Sequence, residues 1–182
     1  MITSTVSLVL ITFITFGIEP WFRFINNIHY AINILQTAAL PLYQMPTLFA
    51  ASLLAGFKPM VAMIVHGITA LIILFFTIYL WFKKKPLYIR ASALIISILV
   101  FTPHANTHDL ALLSIPLAWI GWQIHSRKDF STNSLILIIC WILPLLCVPI
   151  AWLTKLQIAP IVLIIFYVIT FRLTKYSPVE NE

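Results

Sequence analysis

Long runs of apolar residues alternate with short polar segments along the whole chain. A helix needs about 20 apolar residues to cross the hydrocarbon core of a bilayer. Runs that reach or approach this length predict about six membrane spans, at residues 2–18, 59–82, 87–101, 109–124, 134–153 and 157–171. The third and fourth runs are short and need flanking residues to cross. The pattern therefore predicts an all-α fold, a multi-pass transmembrane helical bundle.

The first part of the long connection between the first two runs mixes aromatic and polar side chains. In residues 19–43, Ile25, Ile28, Ile32 and Leu35 recur at the three- and four-residue spacing of a helix with one apolar face. Aromatic rings beside polar groups are typical of the membrane–water interface. We therefore predict an interfacial helix lying along the bilayer.

The second part of this connection carries helix start and stop signals. Pro46 and Thr47 stand at the front of residues 45–57, and Gly56 stands near their end. At about 1.5 Å of rise per residue, a helix here is too short to cross a membrane. We predict a short helix of re-entrant type.

Composition and charge narrow the class of protein. The chain of 182 residues is 62% hydrophobic and 9% charged, with mean hydropathy +1.03 and a formal charge of +6. Soluble domains are about half apolar and about a quarter charged. The basic residues stand in short clusters between apolar runs, as in membrane-protein loops, which argues against a nucleic-acid partner. Residues 1–176 are predicted to form one transmembrane domain, followed by a disordered polar tail at 177–182.

The distribution of Lys and Arg predicts the orientation, because cytoplasmic loops carry the excess of these residues. With the loop after residue 82 inside, both termini are cytoplasmic and the segment 19–58 shares the outer face with the loop at 102–109. The basic residues then inside are Lys83, Lys84, Lys85, Arg90, Arg127, Lys128, Arg172 and Lys175, and those outside are Arg23, Lys58 and Lys155.

The stretch TPHANTHD, residues 102–109, is the strongest candidate for chemistry. His104, His108 and Asp109 lie within six residues, and a helix starting at 102–103 would place the two histidines one turn apart. Three interpretations are open: a polar loop in which Asp109 caps a helix, a substrate or phosphate site at a helix N-terminus, and a metal-binding His pair. The usual zinc motif has a Glu between the two histidines, and this stretch has none.

Two further residues are candidates on the same outer face. His66 lies inside an apolar run, where it either lines the site or packs with a hydrogen bond. Lys58 precedes that run and either binds phosphate or extends to the interface. Glu19 and Arg23 stand four residues apart and are expected to pair on a helix. No cofactor motif and no metal cluster is present in the sequence.

Two blocks of this sequence resemble the C-terminal half of glycosyltransferase family 87. They are NILQTAALPLYQMPTLFAASLLAGFKP and LVFTPHANTHDLALLSIPLAW. Members of this family are multi-pass bacterial membrane proteins of the GT-C type and are mannosyltransferase-like. Their short helix opens with Met-Pro-Ser/Thr, and a Ser/Thr-Pro pair is followed five residues on by His-His or Tyr-Asp. This sequence has similar residues: Met45–Thr47 stands at the start of the short helix, and Thr102-Pro103 is followed by His108-Asp109.

The resemblance implies hexosyl transfer from a polyprenyl-phosphate sugar donor to a lipid or glycan acceptor. It implies a bacterial cytoplasmic (inner) membrane, with membrane lipids around the chain, and substrate binding by His108, Asp109, His104, His66 and Lys58. Such families place a catalytic Asp in the first outer loop, and no segment here matches it, so the catalytic base is unknown. We expect the back half of a transferase that is inactive alone. The alternative is a non-enzymatic membrane protein, a small transporter subunit or a scaffold.

Overall fold

A computed structural model describes residues 2–27, 41–83, 85–126 and 132–174 of the chain. The second half of the predicted interfacial helix, the polar tail and the basic residues Lys84, Arg127, Lys128 and Lys175 lie outside the described residues. The chain divides into two units, Met1–Leu40 and Pro41–Glu182.

The first unit contains two helices joined by a sharp bend. Helix α1 spans Ile2–Phe16, helix α2 begins at Glu19 and is helical through Asn27, and the chain bends by 112° between them. Gly17, with φ +72°, ends α1, because this left-handed conformation costs glycine little. On α2, the Arg23 guanidinium donates to Glu19 Oε1 at 2.6 Å, which confirms the predicted pair. Both side chains are exposed, so the pair stabilises the helix by only a few tenths of a kcal/mol (about 0.3).

The regular elements of the second unit are all helices, with no strand among its described residues. Five α-helices follow a short helix α3, and two 3-10 helices lie in the connections. The helices are α3 Leu48–Leu54, α4 Pro59–Phe82, α5 Leu87–Phe101, α6 Ser114–Ser126, α7 Thr132–Thr154 and α8 Ala159–Leu173, and the 3-10 helices are Leu42–Gln44 and Thr107–Leu113.

Helix α5 occupies the centre of this unit. It packs on α4, α6 and α8, while α7 packs on α6, α8 and the second 3-10 helix. Small buried side chains allow the close approach of helices in a membrane. On α5 these are Ser92 and Ala93, with Ser97 one turn further on. The larger side chains around them form one continuous apolar core, which includes Ile96, Leu99, Leu110, Leu113, Ile120, Leu143, Leu163 and Phe166.

Two helices, α4 and α7, are long and apolar enough to cross a membrane. A third span is possible by length and composition if the bent pair α1–α2 counts as one. Helices α5 and α8 are apolar but have 15 residues each, or about 22 Å, which is shorter than a hydrocarbon core of about 30 Å. The secondary structure of the described residues is therefore all helical, with two helices long and apolar enough to span a membrane, and two of the six predicted spans meet the length requirement.

The second unit has two distinct ends, because successive helices alternate in direction. The Tyr43 end comprises residues 41–58, the α5–α6 connection at 102–109 and the α7–α8 connection at 155–158. The Lys83 end comprises the α4–α5 connection and the C-terminus of α8, where Lys85 Nζ donates to the Thr174 carbonyl at 3.0 Å. Among the described basic residues, Lys58 and Lys155 lie at the Tyr43 end, and Lys83, Lys85, Arg90 and Arg172 lie at the other.

Candidate functional site

The predicted short helix at the Tyr43 end is present as α3. The Thr47 hydroxyl caps its N-terminus by accepting from the Ala50 amide at 3.1 Å. At its C-terminus Gly56 adopts φ +88°, its amide bonds the Leu53 carbonyl, and the next amide reaches back to Ser52. This pair of bonds is the Schellman motif, for which glycine is the preferred residue. The start and stop signals in the sequence therefore determine where α3 lies.

Three chain segments are tied together in front of α3. Thr107 Oγ1 donates to the Gln44 carbonyl at 2.8 Å, which joins the α5–α6 connection to the first 3-10 helix. Gln157 Nε2 donates to the Tyr43 carbonyl at 3.2 Å, and Lys155 Nζ bonds the Tyr43 hydroxyl and lies 4.8 Å from the ring centroid. The two sequence blocks that carry the family resemblance thus meet at one surface.

The α5–α6 connection differs from the helix start considered from the sequence. Helix α5 ends at Phe101, Thr102 is extended with ψ 116°, and the 3-10 helix begins only at Thr107. The reason is Pro103, because the ring of a proline disfavours helical conformation in the residue before it. His104 therefore lies in a turn and His108 on a 3-10 helix. The idea that both stand one turn apart on a single helix starting at 102–103 is wrong.

Asp109 caps the 3-10 helix that it belongs to. Its Oδ2 accepts from the Asn106 amide at 2.7 Å, and its own amide donates to the Asn106 carbonyl at 3.0 Å. A carboxylate near a helix N-terminus is also stabilised by the aligned peptide dipoles. The capping interpretation of Asp109 therefore describes its present contacts. Its side chain is nevertheless exposed, so the second carboxylate oxygen can reach a ligand.

Three of the predicted site residues present free polar groups at the Tyr43 end. Lys58 is the N-cap residue of α4, and its side chain, like those of His104 and His108, is exposed. None of the three side chains makes a hydrogen bond or ion pair with another residue in the described ranges. They are cationic or N–H-donating groups, and in this unit Asp109 is the one carboxylate within the described residues. An anionic ligand suits this balance of charge.

His66 occupies a different kind of place. It is 3% exposed on α4, and its Nε2 lies 3.1 Å from the Phe101 carbonyl at the end of α5. Because a carbonyl only accepts, Nε2 carries the proton. The last carbonyls of a helix have no partner within the helix, so His66 supplies one of the missing donors. Its Nδ1 is buried without a hydrogen-bond partner among the described residues. The packing interpretation of His66 thus matches its contacts.

Three residues of this surface were missed from the sequence. Tyr43 was counted with the interfacial aromatics, Lys155 only as an outer charge, and Gln157 as the first residue of a span. Gln157 is 3% exposed, and a buried amide requires partners. A polar residue that opens an apolar run beside a cation was the signal available in the sequence.

Within the described ranges, no three His, Cys, Asp or Glu side chains lie close enough to hold a metal ion together. Comparison with known proteins gave no match to any family model, to any curated protein or to any solved structure.

Proposed function

We infer that this chain is part of a membrane hexosyltransferase that uses a polyprenyl-phosphate sugar donor, with similarity to glycosyltransferase family 87. One observation carries the proposal. The hydrogen bond from Thr107 to the Gln44 carbonyl brings the two resembling blocks to one surface, although 63 positions separate them in sequence. That surface presents Lys58, His104 and His108 as exposed donors. Donors without carboxylate partners suit the phosphate of a lipid-linked sugar.

The proposed arrangement in the membrane has about six crossing segments in a bacterial cytoplasmic membrane. The Lys83 end is cytoplasmic and the Tyr43 end faces outward, because four of the six described basic residues of this unit lie at the Lys83 end. In the first unit, the 112° bend at Gly17 suits a span followed by a helix in the interface. Helices α5, α6 and α8 cross by borrowing flanking residues or by locally thinning the bilayer.

The proposed reaction is displacement at the anomeric carbon of the donor hexose. The hydroxyl oxygen of a lipid or glycan acceptor forms the new bond, the polyprenyl phosphate leaves, and a general base takes the hydroxyl proton. Lys58, His104 and His108 hold the leaving phosphate, and the free oxygen of Asp109 positions the acceptor. His66 keeps the end of α5, and with it Thr102 and the following loop, in place.

No described residue is well suited to act as the general base. The described carboxylates are Glu19, which pairs with Arg23, and Asp109, which accepts from the Asn106 amide. Both carboxylates thus already accept hydrogen bonds from groups of the chain itself. We therefore expect donor binding by this chain and no transfer by it alone.

The experiment measures the two steps separately in the purified chain. Binding of a polyprenyl-phosphate hexose is followed by native mass spectrometry, and transfer to a lipid extract is followed in liposomes. Loss of a hydrogen bond to a charged group predicts about tenfold weaker binding for His108→Ala. His125→Ala, which removes an exposed histidine at the other end of α6, is the matched control and should bind normally.

Two results would overturn the proposal: no donor binding by the unaltered chain, or equal binding by the two histidine variants. Robust transfer abolished by Glu19→Gln would instead show that Glu19 is the base. The engagement of both described carboxylates favours one other candidate, a non-enzymatic subunit or scaffold. That candidate predicts no saturable donor binding.

A further inference from the structure

A groove separates α4 from α8 on the outside of the second unit. Its volume is about 260 Å³, and its surface is apolar. Four positions of each helix line it: Thr69, Ile72, Ile73 and Phe76 from α4, and Ile164, Tyr167, Val168 and Phe171 from α8. Both helices pack on α5, so the groove lies between two neighbours of the same central helix.

Buried hydroxyl groups hold the two walls of the groove together. The Thr77 hydroxyl on α4 lies 2.7 Å from the Tyr167 hydroxyl on α8, and Tyr167 also donates to the Ile73 carbonyl at 3.2 Å. Hydrogen bonds between helices in an apolar surrounding fix their relative position. The groove is therefore a fixed feature of the α4–α8 pair.

The groove runs toward the Lys83 end and meets positive charge there. On α4, Tyr79 and Lys83 follow the lining residue Phe76 at three- and four-residue steps, so they lie on the same face of the helix. Lys83 Nζ lies 5.6 Å from the Tyr79 ring centroid. Tyr79 in turn lies 6.4 Å from Phe171, which lines the groove. On α8, Arg172 follows the groove residue Val168 by one turn.

Among the described residues, these two cations have no protein counter-charge. Lys83 and Arg172 are exposed, and neither forms an ion pair with any residue that the structure describes. In the described part of this unit the only carboxylate side chain is that of Asp109, and it lies at the opposite end of the helices. A groove that is apolar along its length and cationic at one end matches a ligand that is apolar with one anionic end.

We propose that the α4–α8 groove binds an anionic phospholipid. One acyl chain lies against Ile72, Phe76 and Val168, and the headgroup phosphate lies between Lys83 and Arg172. Basic clusters at the end of transmembrane helices attract anionic headgroups, and apolar grooves between helices order their chains. The site is at the opposite end from Lys58 and His108, so it does not depend on the transferase proposal.

The first test compares headgroups. Phosphatidylglycerol and phosphatidylcholine with identical chains are titrated into the purified chain in detergent, and bound lipid is counted by native mass spectrometry. Phosphatidylglycerol should bind at several-fold lower concentration, and its advantage should shrink as salt is added. Glycerol phosphate, which has the charge without the chains, should not displace it. Equal binding of the two lipids, or displacement by glycerol phosphate, would overturn the proposal.

The second test removes one charge at a time. Lys83→Gln and Arg172→Gln should each weaken phosphatidylglycerol binding about fivefold, since one basic residue near an anionic headgroup contributes about 1 kcal/mol. Binding of phosphatidylcholine should not change. Arg23→Gln removes one exposed cation that belongs to neither proposed site and is the matched control. If the three variants bind phosphatidylglycerol alike, the phosphate does not lie where we place it.

The third test fills the groove. Val168→Trp places a large ring among the lining residues and should weaken the binding of both lipids. Ile165→Trp is the matched control, because Ile165 on the same helix has similar exposure, 45% against 42%, and does not line the groove. Equal binding by these two variants would show that the chain does not occupy the groove. The charge variants decide the question independently if Val168→Trp does not fold.

Discussion

One contact of Asp109 indicates a role for a side chain whose role the sequence leaves open. Its carboxylate accepts the Asn106 amide at the start of a 3-10 helix. We expect Asp109→Ala to lower the free energy of unfolding by about 1 kcal/mol, the usual value of such a cap. Asp109→Asn keeps an acceptor and should lose about half of that. Thermal unfolding in detergent measures both.

A different outcome would assign Asp109 to the ligand. If Asp109→Ala unfolds at the temperature of the unaltered chain but binds the sugar donor more weakly, the carboxylate acts on the donor and not on the acceptor as proposed. If stability and binding fall together, the cap is its main role.

His66 makes the second prediction at this scale. His66→Phe fills similar space but leaves the Phe101 carbonyl without its donor, which should cost about 1 kcal/mol of stability. His66→Gln keeps an N–H donor and should recover part of the loss. Thermal unfolding of the two variants measures the difference. If the two variants unfold alike, the hydrogen bond to Phe101 contributes nothing to stability.

Sequence reasoning at the residue scale succeeded where the partner was local. Glu19 and Arg23 are four apart on one helix, and their pair is present. The partner of His66 is 35 positions away, so spacing gave no information about it. For His104 and His108, the sequence did contain the deciding signal. Pro103 forces the preceding residue out of the helix, so α5 ends at Phe101, and five residues separate it from the 3-10 helix that begins at Thr107.

At the scale of elements, the role of Gly56 in ending α3 can be tested by substitution. A Cβ at Gly56 would meet nothing within 4 Å, so Gly56→Ala costs only the left-handed backbone conformation, about 1–2 kcal/mol. Gly67 in α4 is equally open but has ordinary helical backbone. Gly67→Ala should be neutral or stabilise by about 0.5–1 kcal/mol. The unfolding temperature should fall for Gly56→Ala and should stay the same or rise for Gly67→Ala, and equal shifts would contradict the argument.

Helix α6 shows why an apolar run does not determine an element. The run 109–124 predicts one continuous helix, whereas the structure has a 3-10 helix to Leu113 and a new α-helix from Ser114. Pro116 then falls in the first turn of α6, where its missing N–H has no partner to lose. Proline inside a helix is nevertheless tolerated in α7, which contains Pro144 and Pro149. Neighbouring helices decide between these outcomes, and sequence periodicity does not report them.

The whole molecule permits a direct test of orientation. In the second unit, residue 55 lies at the Tyr43 end and residue 126 at the end of α6 on the other side. A membrane-impermeant maleimide should label Ala55→Cys on intact cells, and Ser126→Cys only after the membrane is opened. The native Cys140 and Cys147 are both 0% exposed, so background labelling should be low. Labelling of both positions from one side would contradict the proposed topology.

Hydropathy predicted a helical membrane protein and the alternation of its helices. It did not predict which helices touch. The central position of α5 follows from contacts with α8, which begins more than 50 residues after α5 ends. Small residues such as Ser92, Ala93 and Ser97 indicate a close helix–helix interface, but they do not identify which helix packs there.

The central position of α5 has a consequence for how the protein is made. Helix α5 is about 22 Å long and carries Arg90, Ser92 and Ser97, so it is a poor substrate for insertion into lipid on its own. The ribosome releases α4 first, and α4 can shelter one side of α5 as a hairpin. The side that faces α8 stays uncovered until α8 itself has been made. Stable insertion of α5 therefore depends on α8, which is made later. A chain that stops before α8 should leave α5 exposed to membrane quality control.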